Sequence, residues 1–271
     1  APVAGGWCRT IHREGYAFET GPQTWRTPSG GALDDLIAWA GLTSEVRPPS
    51  AGASRRFVLR AGRLHALPAA LPRLLGLGPL LRAGSEALRP GRPRERETVA
   101  AFVRRRFGPA LAPLCDAFVS GVFAGDAEQL ELASAFPALA RAEASFGSVI
   151  RAMRAGGFPP RKMGSLRGGL GQLSQALAED LGPQLRCGLP VEGLLPASES
   201  LPWQLFAGGE RFEAERLVLA LPSYAAAELL APNDPLLGGL LRGIPYAPVA
   251  VVSLDPTVAA VVSAALGSDA A

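Results

Sequence analysis

Residues 4–25 read AGGWCRTIHREGYAFETGPQTW, a short alternating segment held between Gly5-Gly6-Trp7 and Gly21-Pro22. Large apolar residues alternate with small or polar ones from Tyr16 to Glu19, which predicts a strand closed by a turn. Glycines in turns on both sides of a strand let bare main chain approach another surface, because there is no Cβ to hold it off. The stretch therefore predicts a backbone-lined contact with something flat or anionic.

Outward from it, Leu33, Leu36, Ile37 and Ala40 recur at helical spacing and Gly41 supplies a left-handed stop. Arg56–Leu59 and Arg63–Ala66 predict a strand pair across Ala61-Gly62, and from Pro68 the pattern is helical. A helix is expected over Arg94–Phe107, with Glu95 and Glu97 in its first turn and Arg104 to Arg106 complementing the dipole on a solvated face. Phe118–Leu139 reads as a helix end, a glycine-rich turn at Gly121 to Gly125, and a new helix after Asp126; Ser145–Ala155 reads as helical. The segment SLRGGLGQLSQALAEDLG (Ser165 to Gly182) places a glycine cluster before a helix whose Leu170, Leu173, Leu177 and Leu181 share a side. Strand-like pieces follow: LRCGLPVEGLL, then WQLF and RFEAE around Gly208-Gly209, then LVLALP as a buried run. A helix at Tyr224–Leu230 and a last strand at Val249–Leu254 complete an α/β element at each end, with about a hundred residues of helical insertion between them.

Bulk properties narrow the function classes. With 271 residues, 48% hydrophobic and 19% charged, the chain is globular and rather apolar. The net charge is +3, yet Lys162 is the only lysine and no basic stripe with interleaved aromatics occurs, which argues against nucleic acid. Cys8, Cys115 and Cys187 are odd in number and far apart, which speaks against a disulfide framework and for a reducing compartment; His12 and His65 have no partner at metal-ligand spacing, so no metal is expected. Leu64–Leu81 is interrupted by Pro68, Pro72 and Pro79, so it suits a membrane surface or buried turns rather than a span. Tyr246–Leu266 is broken similarly by Pro248 and Pro256.

The segments GGWCRTIHREGYAFETGPQTWR, SRRFVLRAGRLHALP, VAAFVRRRFGPALAPLCDAFVSGVFAGDAEQLELASAFPAL, SLRGGLGQLSQALAEDLG and LVLALPSYAAAELL occur in this order. Together they resemble the protoporphyrinogen oxidase family of the flavin amine oxidase superfamily. FVSGVFAGDAEQL and GGWCRT…FETGP are the most discriminating parts. The resemblance implies an α/β (α+β) fold: an incomplete FAD-binding domain of the p-hydroxybenzoate hydroxylase/amine oxidase type with an inserted helical domain. It divides the chain into 1–49 (partial FAD-binding region with the first substrate-domain elements) and 50–163 (substrate strand pair and helical membrane-binding insertion). The remainder becomes 164–243 (FAD-binding region) and 244–271 (start of the substrate domain and a divergent tail). It implies six-electron oxidation of a porphyrinogen with FAD and molecular oxygen, giving porphyrin and hydrogen peroxide, on a membrane surface. The location implied is cytoplasmic and peripheral on the inner membrane, or at the mitochondrial inner membrane in a eukaryote, with a homodimer among the allowed assemblies.

Position by position, the resemblance sets Gly5, Gly6 and Trp7 against FAD, carries Gly21, Pro22, Gln23 and Thr24 past its ring system, and brings the Val191 backbone to the adenine end. Arg56 matches the arginine that pairs with a tetrapyrrole propionate, a role that suits a guanidinium's paired donors. Arg55 beside it leaves the register open by one. Gly121 is the second substrate candidate, with a plain helix-terminating glycine as its alternative. No catalytic base is evident. The family's opening strand, G-x-G-x-x-G turn and acidic ribose partner do not occur here, and Val3 stands where relatives commonly carry arginine. The chain alone is therefore expected to bind FAD poorly. Competing expectations are an amine-oxidase or carotenoid-desaturase-like flavoprotein, a coproporphyrinogen III oxidase of the same family, and a non-catalytic tetrapyrrole- or membrane-binding remnant.

Overall fold

A computed structural model describes residues 1–28, 30–198 and 201–253. In chain order its elements are β1 (Thr10–Arg13), β2 (Tyr16–Glu19), β3 (Trp25–Pro28), α1 (Ala32–Trp39), β4 (Val46–Arg47), β5 (Arg56–Arg60), β6 (Arg63–Leu67), α2 (Leu71–Leu75) and α3 (Leu77–Gly84). There follow α4 (Val99–Arg106), α5 (Ala112–Phe123), α6 (Leu132–Ala135), α7 (Pro137–Phe146), α8 (Val149–Arg154), β7 (Arg161–Leu166) and α9 (Gly171–Leu181). Last come β8 (Val191–Leu195), β9 (Trp203–Ala207), β10 (Glu210–Ala214), α10 (Ser223–Leu230) and α11 (Pro235–Arg242). The described residues form two compact units: those within 1–23, 37–45 and 166–247 make the first, and those within 24–36, 46–165 and 248–253 the second.

In the first unit β1 and β2 form a hairpin with Thr10 opposite Glu19 and Arg13 opposite Tyr16, turning through Glu14 and Gly15 at positive φ. Strands β8, β9 and β10 form an antiparallel meander in the order β10-β9-β8. The expected Gly208-Gly209 turn joins β9 to β10, with φ values of 57° and 78° that only glycine takes without strain.

In the second unit β3, β7 and β4 make a small sheet, and β5 pairs with β6 across Ala61-Gly62 as the sequence implies. Its core lies among α4 to α8, where Val99, Phe102, Val119, Leu132, Val149 and Ala152 are buried together. An aliphatic and aromatic cluster of this kind is what holds a helical module together, since each fully buried side chain contributes roughly 1.5–3 kcal/mol.

Six expectations are corrected. The helix expected from Arg94 begins at Val99, because Thr98 caps it by accepting from the Ala101 N–H at 3.2 Å while Arg96 takes a positive φ. Its arginines are not on one solvated face: Arg105 and Arg106 are largely buried in ion pairs, and Arg104, paired with Glu128, is the partly exposed one. Gly121 lies inside α5 rather than in a turn; the helix continues to Phe123 and the left-handed stop falls on Ala124, at φ 49°. The helix over Ser145–Ala155 is two helices, α7 stopped by Gly147 at φ 65° and α8 started by Ser148, whose hydroxyl accepts from the Arg151 N–H at 3.1 Å. LVLALP is neither a strand nor buried, and Val218 is 87% exposed; an apolar run becomes a buried strand only where a ladder partner covers it. Residues 249–253 carry no strand either, and Leu254 with the tail beyond it lies outside the described residues.

Candidate functional site

The opening stretch folds into two turns that touch. The Cys8 N–H donates to the Gly5 carbonyl at 2.8 Å, while the Thr20 hydroxyl donates to the carbonyls of Arg9 at 3.0 Å and Trp7 at 3.3 Å. Two of the glycines have internal reasons. A Cβ on Gly21 would run into the Trp7 carbonyl oxygen, and one on Gly5, at φ 100°, would meet Ser174 at 2.8 Å. Gly6 differs: it holds φ 53°, and a Cβ there would meet nothing within 4 Å. Its main chain faces open space beside Trp7, which is 73% exposed. Gly6 is therefore the glycine whose bare backbone is available to a flat partner.

The turns are fixed by hydrogen bonds to the start of α9. Thr10 Oγ1 accepts from the Gly171 N–H at 2.9 Å, a Glu19 carboxylate oxygen accepts from the Leu170 N–H at 2.7 Å, and the Ser174 hydroxyl donates to the Cys8 carbonyl at 3.1 Å. A helix start exposes unsatisfied N–H groups and favours negative charge there. Glu19 supplies that charge from within the chain. The glycine cluster before α9 has the same origin, because side chains at Gly169 and Gly171 would collide with Thr10.

Gly5, Gly6, Trp7 and Gly21 are thus brought together, and Pro22 and Gln23 continue from them as an exposed segment. Val191 opens β8, an edge strand that pairs with β9 on one side, so one edge of its backbone is open for contact. Thr24, Arg56 and Gly121 belong to the second unit. Arg56 begins β5 with its side chain exposed, and its Nη1 donates to the Ala53 and Arg55 carbonyls at 2.5 and 3.1 Å. Gly121 is exposed and a Cβ there would meet nothing within 4 Å.

An open cleft of about 480 Å³ in the first unit is lined by Val3, Cys8, Thr10, His12, Gln172 and Gln175, among others, and by none of the residues expected to meet cofactor or substrate. Its signal was present in the pattern. Cys8, Thr10 and His12 alternate onto one side of an extended chain, and Gln172 and Gln175 share one helix face.

The carboxyls with shifted pKa values lie elsewhere, in the helical module. Burial pushes Glu86 up, but hydrogen bonds from Ser148, Ile150, Arg106 and Val149 outweigh it and hold the carboxyl below its ordinary range. Glu143 is likewise held low against burial, by Arg105 and by the Arg92 N–H, and Arg105 is raised by Glu143 and Glu97. Burial raises the Cys115 thiol. Perturbed acids and bases often mark reactive sites, but these carboxylates are fully hydrogen-bonded inside a folded core and have a structural role.

Residues 1–255 match the family described as flavin containing amine oxidoreductase. The chain belongs to that family. Within this flavin amine oxidoreductase family it is 36% identical over 284 residues to the protoporphyrinogen oxidase of Macaca fascicularis, covering 93% of this chain and 59% of that protein. It is 28% identical over 304 residues to the coproporphyrinogen III oxidase of Propionibacterium freudenreichii, covering 92% of this chain and 56% of that one. A crystal structure from Exiguobacterium, provisionally assigned as a protoporphyrinogen oxidase, superposes with a TM-score of 0.70 at 25% identity, covering 88% of this chain and 55% of that one. The chain thus spans somewhat over half the length of these relatives. The mixed helix-and-sheet architecture is that of the family, and the cofactor that goes with the family is FAD. The open Gly6 backbone and the free edge at Val191 fit such a group. The start of α9 does not offer it a phosphate site, since Glu19 already fills it.

Proposed function

We propose that this chain belongs to an enzyme that oxidises protoporphyrinogen IX to protoporphyrin IX with FAD and molecular oxygen. The observation that carries the reading is the 36% identity to a protoporphyrinogen oxidase across 93% of the chain. Bound FAD supplies the acceptor for three two-electron removals, each returned to oxygen as hydrogen peroxide. This chain contributes the support. Gly5, Gly6 and Trp7, followed by Gly21, Pro22, Gln23 and Thr24, offer main chain to the flavin, and Val191 offers its strand edge to the adenine end. Arg56 grips a substrate propionate with the guanidinium donors it does not spend on Ala53 and Arg55, and Gly121 leaves one face of α5 bare towards the macrocycle. A membrane surface suits delivery of a poorly soluble tetrapyrrole, and no helix among the described residues is long and apolar enough to cross a membrane.

Coproporphyrinogen III is the second substrate reading, supported by the Propionibacterium relative at its lower identity of 28%. The test is the appearance of porphyrin fluorescence from each porphyrinogen in air with FAD-loaded protein. Faster turnover of protoporphyrinogen supports the proposal, and turnover of neither sinks it. Binding is read separately by quenching of protein fluorescence with protoporphyrin. Arg56→Ala should weaken it about tenfold, the value of one charge-assisted hydrogen bond, and Arg56→Lys should recover part of the loss.

A further inference from the structure

The carbonyls of Gly5, Trp7, Cys8 and Arg9 are all occupied from within the chain. That of Gly5 accepts from the Cys8 N–H at 2.8 Å, that of Cys8 from the Ser174 hydroxyl at 3.1 Å, and those of Trp7 and Arg9 from the Thr20 hydroxyl at 3.3 and 3.0 Å. The Trp7 carbonyl and the Cys8 N–H belong to one peptide group, so Thr20 at one end and Gly5 at the other fix its plane. Ser174 also lies directly beneath Gly5, 2.8 Å from where a Cβ would stand. The Gly5–Gly6 peptide is trans, and in a trans peptide the N–H points opposite to the carbonyl. Its Gly5 carbonyl turns into the loop towards Cys8, so the Gly6 N–H points out of it. No described residue accepts from that N–H, and Gly6 is exposed. A bare donor whose direction is set by a hydrogen-bonded frame costs little to use, because its ordering was completed on folding.

We propose that the Gly6 N–H donates to an acceptor atom of the flavin, and that Thr20 and Ser174 are positioning residues that aim it. The inference rests on the flavin reading of the opening stretch and adds the donating atom and the two side chains that hold it. Neither hydroxyl meets the cofactor: each acts through a carbonyl of the turn. Thr20→Val keeps the branched shape and removes the donor, whereas Thr20→Ser keeps the donor.

Two measurements on the full chain test it. Without FAD, amide exchange of Cys8 reports whether the turn is held; with FAD, equilibrium dialysis reports the dissociation constant. Thr20→Val and Ser174→Ala should each speed Cys8 exchange by about fivefold and weaken FAD binding by about fivefold, the value of one neutral hydrogen bond. Thr20→Ser should stay within about twofold of the wild type in both, and circular dichroism should show every variant folded. Unchanged exchange, or unchanged FAD affinity in a chain that binds FAD, overturns the positioning role and leaves the flavin reading standing. Equal losses in Thr20→Ser and Thr20→Val assign the effect to shape rather than to the hydroxyl and also overturn it. A wild-type chain that takes up no FAD overturns the flavin reading of this stretch and the positioning role with it.

Discussion

Glu19 and Glu86 do the same local job in different surroundings. Each carboxylate comes from elsewhere in the chain and satisfies N–H groups at a helix start: Glu19 takes that of Leu170 before α9, and Glu86 takes those of Val149 and Ile150 at α8, each at 3.1 Å. Glu19 is half-buried, with the Thr10 hydroxyl as an additional donor. Glu86 is fully buried, accepts the Ser148 hydroxyl at 2.6 Å, and is paired with Arg106. Arg106 reaches Glu143, which Arg105 links to Glu97. Depth of burial therefore separates the two devices. Near the surface a capping acid orients a loop at modest cost, whereas in the core the same group needs a counter-ion and becomes one joint of a network that cannot lose a member cheaply.

Breaking the deep device should have the largest effect. Glu86→Ala leaves Arg106 buried without its main partner and should destabilise the chain by about 3–5 kcal/mol, read from the urea unfolding midpoint. A loss near that of a surface cap would show that the network is slack. Acid sharpens the contrast. The folded-state pKa values of Glu86 and Glu143 lie below their unfolded values, so the unfolded chain binds more protons below about pH 5 and stability falls as pH drops through that range. Unfolding followed by circular dichroism from pH 7 to pH 3 should show this loss, and Glu86→Gln should flatten it.

The shallow device should yield less. Glu19→Ala should cost about 1–2 kcal/mol, in the range of a lost helix cap, and should loosen the Gly5–Gly21 turns enough to raise amide exchange at Leu170. The smallest expected effect has the opposite sign. Ala124 sits in the left-handed region at the end of α5, so Ala124→Gly should raise stability by about 0.5–1 kcal/mol in the same urea assay.

The sequence alone determined those elements whose cause is local. The Tyr16–Glu19 strand, the Ala61-Gly62 and Gly208-Gly209 hairpins, and the helices starting near Ala32, Gly171 and Ser223 rest on alternation, turn chemistry and helical spacing within a few neighbours. The order of motifs likewise made the family legible before any coordinates. Tertiary structure decided what depends on distant partners. The arginines at 104–106 look like dipole complements until Glu86, Glu97 and Glu143 arrive from three other segments, and LVLALP looks like a core strand although no strand among the described residues covers it. Gly5, Gly6 and Gly21 look alike in one dimension; only the folded chain shows that Ser174 and Trp7 claim the first and last, leaving Gly6 open. Propensity and pattern act over neighbouring residues, whereas burial, pairing and close approach are properties of the segments that folding brings together.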